Sequence, residues 1–201
     1  DEQALRDMAH SMAPQVAKLM RLDPPKRLEV RVVTRAQAKE KLLGVLRRDY
    51  PGDRLQRLGL ALQSVYLLPP DTALESEVLA LYSKNVGGFY DPHDRVLYLL
   101  AGADMSTQML VIAHELAHAV QDERLGLANL TRERSWSEDS QLALMAAIEG
   151  QAQAVAAVYI ADQIDPSLAD ILTSGAADMA SHAAVMSDAP LWLSSQMSFP
   201  Y

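Results

Sequence analysis

His114-Glu115-Leu116-Ala117-His118 lies inside an apolar-periodic run from Ser106 to Leu125 that ends at Gly126. Such a run closed by a glycine predicts a helix. Residues four apart on a helix differ by about 40° in azimuth, so both imidazoles leave one face and can reach a single metal ion. Glu115 lies about 100° further round, beside that face, where a carboxylate can hydrogen-bond a metal-bound water without displacing it. Met109, Ile112, Leu116 and Val120 fall on the other side and can anchor the helix in a core. The competing reading is a chance match of two solvated or packed histidines. At ordinary residue frequencies that accident befalls about one chain in 200 of this size, before a helical context is required.

A catalytic metal normally takes three protein ligands and keeps one position open. A third histidine six residues after His118 would fall at position 124, which is Arg124, with Gln121 where that longer motif has a glycine. A carboxylate is the alternative. From Ser140 to Ala161 the chain carries a single charge, Glu149, among Ala, Leu, Ile, Val, Met, Gln, Tyr and Gly. An unpaired carboxylate in so apolar a helix is costly, and a metal ion is one way to compensate it. Pairing with a buried Arg, or a solvent-facing position, is another. Gly150 and the alanines at 146, 147 and 152 suit a close approach of this helix to the histidine helix.

Working outward, an amphipathic helix from Asp1 to Met20 stops at Asp23-Pro24-Pro25, and Leu28–Val33 alternates as a strand. Helices are expected from Thr34 to Arg48, from Arg54 to Leu67 and over Leu74–Ser83. Val86–Tyr90 and Arg95–Leu100 flank the turn Asp91-Pro92-His93-Asp94 as a hairpin. After the histidine helix, Trp136 to Gln163 is opened by Ser135-x-x-Glu138 and closed by Asp165-Pro166, with further helix around Leu168–Ser187. The expected fold is α+β, mostly helical, with a small mixed sheet lying over the histidine helix. One domain is expected over residues 1–201, in which 1–84 supply N-terminal helices and the first strand and 85–201 the core that carries the site.

Composition narrows the partners. The 201 residues hold 18 basic and 26 acidic side chains, and residues 135–201 contain eight acidic groups with no Lys or Arg. No basic surface advertises nucleic acid, and uncharged stretches of 13 residues fall short of the roughly 20 a spanning helix needs, so no membrane span is expected. With no cysteine, disulfides, thiolate metal sites and thiol nucleophiles are excluded. No feature sets an oligomeric state.

The run from His114 to Asp122 resembles the active-site helix of thermolysin-like gluzincins, a branch of the zincin metallopeptidases. Gly87-Gly88-Phe89-Tyr90-Asp91-Pro92, the strand Val96–Leu99 and Phe199-Pro200-Tyr201 are similar to a family of uncharacterised bacterial metallopeptidases, over about residues 85–201. The resemblance implies a zincin-like fold holding one Zn²⁺ per chain on His114, His118 and Glu149. It also implies Glu115 as general base and a peptide or protein substrate, which could be a cell-wall peptide. Asn85–Tyr90 would be the edge that receives the substrate as an added strand, with Gly87, Gly88, Phe89 and Tyr90 against it. His182, Tyr159 and Tyr90 are candidates for the donor that holds the oxyanion. Asp122 would orient a ligand histidine or cap the helix. The start at Asp1, the missing cysteines and the resemblance together point to a mature-form, extracytoplasmic bacterial domain. A zinc-holding, peptidase-like module that binds a polypeptide without cutting it is the rival reading. Glu149 decides the ligand set: Glu149→Ala is expected to lose most of its zinc by elemental analysis, and full retention would mean another ligand.

Overall fold

The computed structural model describes residues 2–85, 87–102, 105–130 and 137–163. The stretch Leu168–Ser187, His182 and Phe199-Pro200-Tyr201 lie outside them. By packing, the described residues form two units, 2–34 with 87–163 and 35–85.

The first unit begins with helix α1 (Glu2–Leu19), which buries Ala9, Met12, Ala13, Val16 and Ala17 along one stripe. It ends before the prolines that were expected to stop it. Arg21 takes a left-handed φ of 56° and the Leu22 amide returns to the Ala17 carbonyl, which closes the last turn. Strands β1 (Glu29–Val33), β2 (Gly88–Asp91) and β3 (Val96–Leu100) form a sheet ordered β1-β3-β2. β1 runs parallel to β3 with Glu29 opposite Val96, and β2 runs antiparallel with Phe89 opposite Tyr98. The expected small mixed sheet is therefore present, and the described residues are otherwise mostly helical. Every residue of the central strand β3 is buried. Leu97 and Leu99 enter the main core on one face, and Tyr98 on the other stacks on Phe89 at 4.9 Å between ring centroids.

Helix α5 (Met105–Leu125) packs against α1, β2, β3 and α7 (Glu138–Gln163). Ile112, Ala113, Leu116 and Ala117 on α5 join Ala152, Ala156 and Tyr159 on α7, Val16 on α1 and Leu97 and Leu99 on β3 in one cluster. The facing alanines, all fully buried, are what bring α5 and α7 together. The glycine expected at that contact is not there: Gly150 is exposed, with nothing within 4 Å of where a Cβ would stand. Among the described residues α7 contains the one helix long and apolar enough to cross a membrane. Ile148, Ala152, Ala156 and Tyr159 are nonetheless buried. A four-residue helix α6 (Leu127–Leu130) follows α5.

The second unit consists of α2 (Arg35–Asp49), α3 (Arg54–Ser64) and α4 (Leu74–Asn85). Leu55, Leu62, Leu68 and Leu74 form its core. Helix α3 is one turn shorter than its sequence suggests. Tyr66 adopts φ 61° and the amides of Leu67 and Leu68 both reach the Leu62 carbonyl, so the chain turns back before Leu67 can extend the helix.

Gly88 shows how closely β2 lies on α5. A Cβ there would stand 2.9 Å from the Tyr98 carbonyl oxygen and 3.0 Å from a methyl of Val111. Gly88→Ala should destabilise the protein by about 1–3 kcal/mol in thermal or urea unfolding, because a backbone oxygen cannot move aside. Gly44→Ala, in the exposed interior of α2 with open space around it, should instead stabilise by about 0.5–1 kcal/mol.

Candidate metal centre

Helix periodicity places His114 and His118 one turn apart on α5, and core packing of the alanines on α7 turns Glu149 towards them. The two Nε2 atoms are 3.1 Å apart, and each is 3.2 Å from Glu149 Oε2. The rings meet edge to face, with centroids 4.7 Å apart. The three side chains are largely shielded, between 12% and 15% exposed.

This nearly equilateral triangle fits a metal ion. Ligand atoms at about 2.0–2.1 Å from a tetrahedral ion stand about 3.3–3.4 Å from one another. Glu149 Oε2 is buried, yet no well-formed hydrogen bond satisfies it, although two ring nitrogens lie within reach. Three donor atoms directed at a common point, rather than at each other, account for that. Without a metal, the cluster is held by charge. Burial opposes ionisation of Glu149, but the two imidazoles outweigh it and bring the carboxyl down to about 2. Burial likewise disfavours a charged His118, but Glu149 and Glu115 overcome it and raise the imidazole to about 9.

Glu115 stands beside this face, not on it. Its Oε2 accepts the Tyr90 backbone N–H at 2.8 Å, so the carboxylate is tied to β2. Burial pushes Glu115 above the usual carboxylate range, against the lowering influence of His118, His114 and the Tyr90 amide.

Tyr90 is held at both ends. Its hydroxyl donates to Asp122 Oδ2 at 2.9 Å, and burial together with that carboxylate pushes the phenol above its ordinary range. Asp122 Oδ1 accepts the Leu127 amide at 2.8 Å, and Arg95 Nε lies 3.6 Å from Oδ2. Asp122 thus holds β2, the β2–β3 turn and the start of α6 against the end of α5. The histidine contact that was considered for it belongs to Gln121, whose Oε1 lies 2.9 Å from His118 Nδ1. The three-residue spacing from His118 is visible in the sequence, but the burial that singles out Gln121 is not.

The other expected site residues are placed as follows. Gly88 is buried and Gly87 lies beside it, and the space their missing side chains leave is filled by Val111 of α5. Phe89 stacks on Tyr98. Tyr159 is in the core, 4% exposed, and ten residues along α7 put it about 15 Å from Glu149. It is not brought to the cluster.

A model of the family described as "Putative metallopeptidase family (DUF6782)" matches residues 69–185, more than half of the chain, and spans all four of His114, Glu115, His118 and Glu149. No curated protein and no solved structure matches the chain.

The ion pair sets a pH dependence for the metal-free protein. His118 is raised from 6.5 to about 9 on folding, so its contribution is complete below pH 6.5 and is lost as pH rises through about 9. Glu149 is lowered from 4.5 to about 2, so its contribution is complete above pH 4.5 and is lost as pH falls through about 2. Chelator-treated protein should therefore melt at a lower temperature at pH 9.5 than at pH 5.5. Glu149→Gln should flatten much of that difference, and an equal alkaline loss in the variant would show that this pair is not its source.

Proposed function

The chain belongs to the family whose model it matches, and we propose that it is a zinc-dependent peptidase of the gluzincin type, hydrolysing peptide bonds with Glu115 as general base. The observation that carries this is the position of Glu115: a carboxylate fixed by the Tyr90 amide beside a His-His-Glu cluster. A purely structural zinc site is four-coordinate and closed, and has no use for a base next to its first ligand.

His114 and His118 through Nε2, and Glu149 through Oε2, would hold the ion. Two imidazoles and one carboxylate form a donor set that suits a catalytic zinc. Zinc supplies two things when bound: a more acidic water and polarisation of the scissile carbonyl. The chain's own residues do the rest. The Glu115 carboxylate receives a proton of the attacking water as the water oxygen bonds to the carbonyl carbon. The raised proton affinity of a shielded carboxylate favours that transfer. Glu115 then returns the proton to the amide nitrogen as the C–N bond breaks; the second water proton leaves the new carboxyl group for the freed amine, giving a carboxylate and an ammonium group.

The substrate class that follows is an extended peptide or protein segment. Among the described residues no strand pairs with β2 on the side away from β3; that edge runs past Glu115, and its Tyr90 amide, which an added strand would use, is held by that carboxylate. An incoming chain and Glu115 therefore compete for one donor, and substrate entry would release the carboxylate for its work as a base.

Removing the base and removing the metal have separable signatures. Glu115→Gln is expected to keep its zinc and to lower the hydrolysis rate of an unstructured protein such as casein by about 10²–10⁴-fold. Parent protein stripped by a chelator should be inactive and should recover when zinc is restored. Hydrolysis that ignores the chelator would end the metallopeptidase reading. A zinc-loaded parent that binds peptides without cutting any would favour the non-catalytic module.

A further inference from the structure

Gln121 stands three residues beyond His118 on α5 and is 2% exposed. Its amide makes three contacts of equal length. Nε2 donates to the Ile148 carbonyl at 2.9 Å and to Gln151 Oε1 at 2.9 Å, and Oε1 lies 2.9 Å from His118 Nδ1. The orientation of this amide is not arbitrary. A backbone carbonyl can only accept, so the Gln121 atom facing Ile148 must be the NH₂ group, and the atom facing His118 must be the oxygen.

Two consequences follow. An oxygen facing Nδ1 requires that nitrogen to donate, which leaves Nε2 of a neutral His118 as the bare lone pair, directed at the cluster. The same side chain also grips α7 on both sides of Glu149, through residues 148 and 151. One buried amide thereby sets the tautomer and ring angle of one ligand and the position of the helix that carries another.

We infer that Gln121 is a positioning residue of the metal centre, joining the His118 imidazole to the Glu149 segment of α7. The inference rests on the metal-site reading of His114, His118 and Glu149. It is independent of whether the loaded protein cuts peptides. Burying a glutamine among apolar helices is otherwise unfavourable, and all three of its bonds serve this junction. A partner that orients a ligand histidine is typically worth about 10–100-fold in metal affinity.

The test uses zinc alone as the probe, with affinity measured by competition against a chelator and the His118 Nδ1 proton followed by NMR in the zinc-loaded protein. Gln121→Met keeps the volume and removes all three bonds. It should weaken zinc binding by about 10–100-fold and lose the slowly exchanging Nδ1 proton signal, while metal-free protein melts within a few degrees of the parent. Gln121→Glu keeps an acceptor for Nδ1 but sets a carboxylate against the Ile148 carbonyl. It should retain the proton signal and show hydrogen exchange around residues 148–151 faster than the parent. Gln151→Ala, at an exposed position, loses one α7 contact without risk to folding and should weaken zinc by a smaller factor. Zinc affinity within twofold of the parent in both Gln121→Met and Gln151→Ala would overturn the inference. So would a Gln121→Met loss seen equally in metal-free melting, which would make Gln121 a packing residue. A parent that binds no zinc at all would overturn the metal-site reading and this inference with it.

Discussion

A single carboxylate on an apolar helix is the constraint from which much of this arrangement follows. Burying Glu149 without compensation would cost several kcal/mol, and the described residues compensate it with two imidazoles at 3.2 Å. To deliver that compensation, α5 must present both histidines on one face and α7 must lie against it. The alanines at 113, 117, 152 and 156 permit that contact, and all of them are fully buried. Core and site are therefore two faces of one pair of helices. The residues that hold α5 in place, Ile112 and Leu116 among them, alternate along the helix with those that point to the cluster.

The sheet completes the site from the other side. β3 is buried along its whole length and serves as the platform. β2 is held so closely between the Tyr98 carbonyl of β3 and Val111 of α5 that only glycine fits at position 88. Its Tyr90 then bonds to Glu115 through the backbone and to Asp122 through the side chain. Electrostatics and packing agree here. The carboxylate that receives a backbone N–H keeps a fixed direction, and the shielding that comes with that contact raises its affinity for a proton.

The parts that were legible in the sequence are those decided within one element. The four-residue spacing of His114 and His118 fixes their azimuth locally, and the apolar positions at 112, 116 and 120 show which face is buried. Glu149 was visible because a lone charge in 22 residues stands out against its own helix. The hairpin was visible from a turn flanked by β-branched and aromatic residues, whereas the order of the three strands was not read and is known from the structure. What could not be read depends on how separate elements meet. Gln121 entered the sequence reading only as the residue that breaks the longer histidine motif, since nothing within α5 reveals that Ile148 and Gln151 lie beyond it. Asp122 shares a face with His118 but ends on Tyr90 and Leu127, because its reach is set by β2 and α6. Gly150 looked like a contact residue, yet the helix rotation set by Ala152 and Ala156 turns it outward. The early end of α3 is a local event that was missed for another reason: a left-handed Tyr66 returns the amides of Leu67 and Leu68 to the Leu62 carbonyl, and a tyrosine is not a residue type that advertises such a turn.

The bond between the Tyr90 amide and Glu115 also bears on solubility. Among the described residues β2 is an edge strand, and a strand edge offers its backbone donors to any other chain, including a second copy of itself. Here one of those donors is already spoken for by a carboxylate projecting from the adjoining helix. A negative charge beside a strand edge is one of the devices by which proteins discourage unwanted self-pairing. The residue read as the base is thus also a guard on the edge, and replacing it with a neutral side chain removes both functions at once. A neutral side chain at position 115 would withdraw that charge from the edge, so a substitution made there to test chemistry also bears on self-association.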